Sequence, residues 1–205
     1  MIEYILKRKK IKNIIIRIKN GEVIVSAPLK VSQKKIDSFI LCHRQWIEAQ
    51  LSKECLPLSS GDSIRILEKD YVIYFIDGSR RITEDKIYCK ETSSVFHNAV
   101  LKICSAYFQD RFNFLCHKMN ISDIELHLGF YSSKWGSCTP SKRRITINAN
   151  LAFTDKECID AILVHELCHL SHMDHSRAFY DCVTRWMPNY KLVHKRLKTY
   201  SIPYI

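Results

Sequence analysis

The sequence predicts an α+β protein with two lobes, an N-terminal β-rich lobe with one helix over residues 1–91 and a more helical lobe over residues 92–205. β-branched alternation over residues 2–19 predicts strands at the start of the chain. Apolar residues at helical spacing over residues 94–118 predict one long helix, and another apolar helix begins at Thr154. Strands thus dominate the first part and helices the second, which is typical of an α+β protein.

The first lobe begins with a hairpin signal. Asn20-Gly21 favours a two-residue turn, and residues 22–27 form the predicted return strand, which Pro28 ends. Ser32 can cap a helix whose apolar residues recur at helical spacing. They are Ile36, Phe39, Ile40, Trp46 and Ile47. Pro57 breaks this pattern, and three further strands are predicted, over residues 62–68, 71–77 and 86–90.

The second lobe continues after the long helix with two strands, over residues 123–129 and 143–149, on either side of an irregular segment. Thr154 and Glu157 have the spacing of a capping box, in which each side chain binds the other's backbone N–H. Two more helices complete the prediction, over residues 174–188 and 189–200.

The composition is that of a globular protein able to bury a core. Hydrophobic residues make up 46% of the 205 residues and charged residues 26%, which excludes a disordered or low-complexity chain. The N-terminus lacks the apolar segment of a signal peptide, and no apolar run is long enough to span a membrane. We therefore expect a soluble, cytoplasmic protein without a membrane partner. The nine cysteines contain no C-x-x-C pair and are interpreted as small buried hydrophobes.

The formal net charge of +11 is unevenly distributed. Residues 1–20 hold seven lysine and arginine residues and one glutamate. We interpret this patch as the solvated face of a strand, and binding of phosphates or of an acidic partner is the alternative. A second basic cluster, Lys142-Arg143-Arg144, precedes a predicted strand of the second lobe.

The motif that carries chemistry is H-E-x-x-H, formed by His165, Glu166 and His169 on the helix that begins at Thr154. Residues four apart are neighbours on one helix face, so both imidazoles can reach one cation. The glutamate then stands where it can take a proton from water beside the metal. This spacing predicts a metal site with Glu166 as general base.

Spacing alone leaves several candidates for the third ligand, because no glutamate follows Glu166. His172 lies seven residues after His165, roughly 10 Å along a helix, which suits a position beside a ligand or facing the substrate. His175 follows a break in the helical pattern, so a turning chain can return it to the metal, and it is favoured. Asp174 and Asp181 remain alternatives, and Asp174 is also a candidate helix cap or acceptor for a ligand imidazole.

These motifs together resemble the YgjP-like metallopeptidase family, small bacterial zincin-type hydrolases. The resemblance spans nearly the whole chain. It rests on Lys134-Trp-Gly-Ser-Cys138, Ile145-Thr-Ile-Asn148, His165-Glu-Leu-Cys-His169, Asp174-His-Ser176 with Phe179, Met187-Pro-Asn-Tyr190, and, near the N-terminus, Val25-Ser-Ala-Pro28 and Arg44-Gln-Trp46. It implies a minimal zincin-like C-terminal lobe around the H-E-x-x-H helix, His165, His169 and His175 as zinc ligands, and Glu166 as the general base.

The resemblance also implies further roles around the metal. A nearby donor would share the developing oxyanion with zinc, and the candidates are Tyr131, His172, Arg177, Tyr180 and Tyr190. By analogy with zincins, an edge strand pairs with an extended peptide, so Thr146–Asn148 would line the cleft. The expected substrate rim comprises Trp135, Arg143, Arg144 and Asn148.

Three functions remain open from the sequence. The favoured one is a zinc-dependent hydrolase, a metallopeptidase acting on a peptide or protein substrate. A metal-dependent nucleotide pyrophosphohydrolase is the second, with Lys142, Arg143 and Arg144 holding phosphates. The third is a nucleic-acid- or partner-binding module that uses the basic N-terminal hairpin and a structural metal. One Zn²⁺ is the expected cofactor, although other divalent transition metals also suit histidines.

Overall fold

The computed structural model describes residues 2–19, 22–51 and 58–200 and has the predicted mixed α+β content. The chain forms two compact units that part between residues 57 and 58. This division falls earlier than the lobe boundary that the sequence suggested at residue 92. In the part of the chain that the structure describes, no helix has the length and apolar character needed to cross a membrane.

The first unit contains a three-stranded sheet of β1 (Ile5–Lys9), β2 (Ile15–Lys19) and β3 (Glu22–Pro28), in the order β1-β3-β2. β2 pairs with β3 in antiparallel register, as the hairpin pattern predicts, and β1 pairs with β3 in parallel. The predicted turn residues Asn20 and Gly21 lie outside the described residues. The long β-branched stretch is therefore two separate strands on opposite edges of the sheet.

Two short helices cover this sheet, α1 (Gln33–Cys42) and α2 (Arg44–Leu51). The sequence predicted one helix, but His43 ends α1 and donates from Nδ1 to the carbonyl of Phe39. The core of the unit holds Val23, Val25, Ala27, Ile36, Ile40 and Ile47. Trp46, which was expected on the apolar face of the predicted helix, is 46% exposed.

The second unit begins with a four-stranded sheet of β4 (Ser63–Ile66), β5 (Lys69–Phe75), β6 (Arg81–Ile82) and β7 (Lys86–Cys89), in the order β4-β5-β7-β6. The long helix α3 (Ser93–Lys118) follows it. The buried side chains of the sheet and of α3 belong to one hydrophobic core, which also includes the helices after residue 155. Because these strands need α3 to cover their apolar face, they belong to the second unit.

A second sheet of this unit contains β8 (Glu125–Gly129), β9 (Gly136–Thr139) and β10 (Arg144–Asn148), in the order β8-β10-β9. β10 is the central strand, parallel to β8 and antiparallel to β9. β9 lies within the segment that was predicted to be irregular. The sequence did not indicate a strand there, because Gly-Ser-Cys-Thr lacks the alternation of a half-buried strand.

Three helices complete the unit, α4 (Lys156–Cys168), α5 (Arg177–Trp186) and α6 (Tyr190–Leu197). α4 is its central element and packs against α3, α5, α6 and the strands β9 and β10. Such a helix, apolar on nearly every side, also buries Glu166, which places the H-E-x-x-H motif in a low-dielectric environment.

The predicted capping box is wrong. Asp155 is the N-cap of α4, and the Thr154 hydroxyl donates to the carbonyl of Leu151, 2.8 Å away. The Glu157 carboxylate instead accepts hydrogen bonds from Asn189 and Arg196. Tertiary partners therefore displaced the local exchange of hydrogen bonds that the spacing suggested.

Candidate metal centre

His165 lies in the last turn of α4, and His169 is the residue at which that helix ends. The chain then turns back through residues 170–176 and enters α5, which begins at Arg177. Ser176 caps α5 by accepting a hydrogen bond from the backbone N–H of Phe179, so Asp174 is not the cap. This reversal brings His175 beside the two histidines of α4.

The three imidazoles converge on one point. His165 Nε2 lies 3.2 Å from His169 Nε2 and 3.3 Å from His175 Nε2. The ligand atoms of all three residues lie within 4.8 Å of one another. In a tetrahedral zinc site with Zn–N bonds of about 2.0–2.1 Å, two ligand nitrogens stand about 3.3 Å apart. The spacing around His165 therefore fits a shared metal ion.

The other ring nitrogens of His165 and His169 take part in hydrogen bonds. His169 Nδ1 lies 2.8 Å from the carbonyl of His172, which can only accept, so the proton of His169 is on Nδ1. His165 Nδ1 lies 2.7 Å from the hydroxyl of Tyr190 and can donate to it. With both protons on Nδ1, the Nε2 lone pairs face each other. A cation between them relieves this repulsion, which is the usual arrangement of metal-binding histidines.

The surroundings keep the imidazole of His165 neutral. Burial, followed by the neighbouring His169 and His175, lowers the pKa of His165 to about 4. The fully buried ring of Phe179 packs against all three imidazoles, with centroid separations of 4.9, 4.4 and 4.9 Å. A neutral imidazole is the form that binds metal, so His165 can bind a cation at neutral pH without first losing a proton.

Glu166 is 6% exposed and lies against the edge strand β9. A Cβ at Gly136 would stand 2.6 Å from Glu166 Oε1, so only glycine fits there. The backbone N–H of Cys138 donates to the carboxylate. Burial raises the pKa of Glu166 to about 7, against the opposing effects of Lys134 and of the Cys138 N–H. A carboxylate with a pKa in this range can both accept and return a proton near neutral pH.

The alternative third ligands do not join the histidines. Among the residues that the structure describes, the candidate metal group contains His165, His169 and His175 alone. Asp174 is exposed, and a hydrogen bond from Ser176 lowers the pKa of its carboxyl. Asp181 is on the exposed side of α5, where its Oδ2 atom lies 3.9 Å from Arg177 Nε.

The five residues expected to stabilise an oxyanion differ in their positions. Tyr131 is 37% exposed on the loop before β9, with Lys134 Nζ 5.6 Å from its ring centroid. Tyr190 is 3% exposed and binds His165 Nδ1, so it positions a histidine and does not face substrate. The side chain of Arg177 is 96% exposed, and His172 contributes its carbonyl to His169. Tyr180 is 38% exposed, and its ring centroid lies 6.3 Å from that of His175. Tyr180 is thus an accessible hydroxyl beside the histidines.

Asn148 was expected at the substrate rim, but the structure buries it to 3% exposure. Its amide nitrogen donates to the carbonyls of Tyr131 and Lys134, at 2.6 and 2.8 Å. Its oxygen accepts from the backbone N–H of Asn150. Asn148 therefore fixes the loop that leads into β9, and Trp135 in that loop packs against the core.

The basic residues expected at the rim lie elsewhere. Arg143 donates to the backbone carbonyls of Ser122 and Asp123, and Arg144 lies 3.5 Å from Glu125. Arg144 pairs with Thr139, the last residue of β9, whereas Gly136 is the first residue of that strand. At the usual rise of a strand, these two ends of β9 are about 10 Å apart. These side chains hold the start of β10 and do not surround Glu166.

Three contributors at the site were given no role by the sequence reasoning. Gly136 makes room for Glu166, Phe179 supports the imidazoles, and Lys134 places a positive charge near the glutamate. Phe179 follows His175 by four residues, a spacing that could have indicated one helix face. The approach of Gly136 to Glu166 joins residues thirty positions apart, and no local pattern signals it.

We expect Tyr190→Phe to weaken metal binding by about 10–100-fold, because it leaves the Nδ1–H of His165 without its acceptor in a buried position. Competition with a chromophoric chelator measures the change in affinity. Tyr74→Phe, which removes a hydroxyl from strand β5, is the matched control and should leave the affinity unchanged. Equal affinities in both variants would contradict the role given to Tyr190.

Three imidazoles around one point, next to a buried carboxylate, define the class of metal-dependent hydrolases. The model of the YgjP-like metallopeptidase domain matches residues 12–200. The chain therefore belongs to the YgjP-like metallopeptidase family, and it is a metal-dependent hydrolase.

Two solved structures are similar to part of the chain. The metallopeptidase zymogen abylysin of Pyrococcus abyssi is 18% identical, with a TM-score of 0.42 over 46% of this chain and 98% of its own. The metallopeptidase zymogen jannalysin of Methanocaldococcus jannaschii is also 18% identical, with a TM-score of 0.41 over 44% of this chain and 92% of its own. No curated protein shows significant similarity to the sequence.

Proposed function

We propose that the protein is a zinc-dependent metallopeptidase in which His165, His169 and His175 hold the ion and Glu166 is the general base. The convergence of the three histidine side chains on one point beside the buried Glu166 carries this proposal. Three nitrogen ligands with a fourth position left for water or substrate are the donor set of a catalytic zinc site.

Zinc held there would supply Lewis acidity, lowering the pKa of water and polarising the substrate carbonyl. Glu166 accepts the proton of the attacking water at its carboxylate and then delivers it to the nitrogen of the leaving amine. The Cys138 N–H keeps that carboxylate in place, and Gly136 allows its close approach to β9. The histidine ring protons remain on Nδ1, held by the carbonyl of His172 and the hydroxyl of Tyr190.

The edge strand β9 is the proposed docking site for an extended peptide. This edge position was expected at Thr146–Asn148, but these residues belong to β10, which has β8 on one side and β9 on the other. Within the described residues β9 pairs with β10 only, and its first residue touches Glu166. A peptide added to this edge would pass directly beside the general base.

Tyr180 is the proposed donor to the developing oxyanion. Its exposed ring is adjacent to His175 and to Phe179, and the other tyrosine of the site, Tyr190, is committed to His165. A neutral hydroxyl near the third histidine can donate to an oxygen that gains charge at the metal.

No contact of the site favours a nucleotide substrate. That alternative depended on Lys142, Arg143 and Arg144. Two of these, Arg143 and Arg144, bind backbone carbonyls and a glutamate of their own unit. The basic residues of β1 and β2 belong to the first unit, and no contact among the described residues around them favours a nucleic acid.

We expect the zinc-loaded protein to hydrolyse peptide bonds in denatured casein and in a quenched-fluorescence peptide mixture, and to leave ATP intact. Removal of metal with a chelator should abolish the activity, and added Zn²⁺ should restore it. Mass spectrometry of cleavage products and release of inorganic phosphate are the two measurements.

His175→Ala is the test of the ligand set. It should lower bound zinc well below one ion per chain, since two nitrogen donors remain. His127→Ala, on strand β8, should retain full stoichiometry. ATP hydrolysis without peptide cleavage would overturn the peptidase proposal, and an unchanged zinc content in His175→Ala would overturn the ligand assignment.

A further inference from the structure

Two cysteines lie in contact immediately beside the histidine cluster. Cys168 Sγ, on the last residue of α4, is 2.9 Å from Cys182 Sγ on α5. Both are free thiols in the structure. A disulfide bond is about 2.05 Å long, so a small approach of the two sulfur atoms would allow a bond to form.

The two cysteines stand at either side of the segment that carries two of the metal-binding histidines. Cys168 directly precedes His169, and Cys182 is on the helix that follows His175 and carries Phe179. The segment between the two cysteines thus contains two of the three histidines. A bond between these residues would tie the end of α4 to the middle of α5 and so hold the segment that brings these histidines together.

We infer that Cys168 and Cys182 form a reversible disulfide that responds to peroxide and locks the metal-binding segment. Cys182 is half-exposed and Cys168 is 1% exposed, so the peroxide reaches Cys182 first. Its sulfur attacks one oxygen of hydrogen peroxide, the O–O bond breaks, and a sulfenic acid and one water result. Cys168 sulfur then displaces the hydroxyl, the S–S bond forms and a second water leaves. Two thiols lose two electrons, and the peroxide gains them.

The remaining cysteines set this pair apart. Cys89, Cys104, Cys116 and Cys158 are buried, Cys138 is half-buried on β9, and Cys42 is exposed in the other unit. Among the described cysteines, the contact between Cys168 and Cys182 is the only one recorded between two sulfur atoms. The bond would form whichever substrate the enzyme takes, so it is independent of the proposed peptidase function.

Peptide mapping tests the bond directly. Trypsin cuts after Lys156, Arg177 and Arg185, which places Cys168 in the fragment 157–177 and Cys182 in the fragment 178–185. After treatment of the full-length protein with hydrogen peroxide, we expect a fragment with the summed mass of these two peptides, which dithiothreitol separates. Because 157–177 also contains Cys158, the linked fragment must persist in Cys158→Ser and disappear in Cys182→Ser.

Thermal unfolding of the metal-free protein supplies a second measurement. A bond that closes a loop of this length should raise the unfolding midpoint by several degrees, about 4–12 °C, in the wild type. Cys182→Ser, at the half-exposed position, should show no rise after the same treatment. Free thiols at both positions while Cys42 is fully oxidised would overturn the inference, as would a midpoint that rises equally in Cys182→Ser.

Discussion

Glu166→Gln is expected to lower the turnover of the zinc-loaded protein by about 10²–10⁴-fold and to leave zinc binding unchanged. The amide has the shape of the carboxylate and can still accept from the Cys138 N–H, but it cannot take a proton from water. Gln also fits against Gly136 as Glu does. The measurements are kcat at saturating peptide and the zinc content per chain.

Glu157→Gln on the same helix is the matched control. Glu157 is at the exposed start of α4, where it binds Asn189 and Arg196 away from the histidines. We expect it to retain turnover close to that of the wild type. Full turnover in Glu166→Gln would remove this residue as general base, whereas loss of zinc would assign it a structural role at the metal.

Gly136→Ala is expected to lower turnover by about 100-fold or more, because the new methyl group would occupy the space of Glu166. The added Cβ would stand 2.6 Å from Oε1 and 2.7 Å from Cγ of that residue. Either the carboxylate moves or β9 does, and a displacement of about 1 Å at a catalytic group costs about 10²-fold in rate. The histidines are not in this contact, so the zinc content should stay near that of the wild type.

Gly78→Ala controls for the general effect of adding a methyl group. At Gly78 the new Cβ would meet only the end of the Ile76 side chain, at 3.5 Å, an ordinary contact. This variant should keep its activity and its unfolding midpoint. Overpacking at Gly136 should also cost about 1–3 kcal/mol in the free energy of unfolding, measured with urea. Wild-type turnover in Gly136→Ala would show that the strand and Glu166 adjust without consequence.

The H-E-x-x-H geometry is local, so the sequence could predict it. Residues four apart on a helix are always neighbours, and the structure brings the Nε2 atoms of His165 and His169 within 3.2 Å. His175 was favoured but not separated from Asp174 and Asp181, because its position depends on how the chain turns after α4. The reversal through residues 170–176 decides that His175, and neither aspartate, joins the other two.

The residues that were expected at the substrate rim do not all lie near Glu166 in the structure. Arg143, Arg144 and Asn148 were assigned to the substrate rim because they lie on the predicted strand that was expected to line the cleft. The antiparallel register instead places Gly136 opposite Ile147 and Thr139 opposite Arg144, so the basic side chains stand at the far end. Asn148 is at the near end but is buried under the loop that it holds. Strand register depends on pairing between distant segments, which no single stretch encodes.

The α+β class could be predicted from the sequence, and so could the helix with its two histidines and the glutamate between them. Both follow from the periodicity of residues within single segments. The tertiary structure alone decided the rest of the centre: the closeness of Gly136 to Glu166, the acceptor at Tyr190 for His165, and the contact between Cys168 and Cys182. Each of these joins two elements that meet only when α4 is packed against β9, α5 and α6. Local propensity acts only on residues that are close along the chain. Packing around the buried helix α4 determines which distant residues contact it.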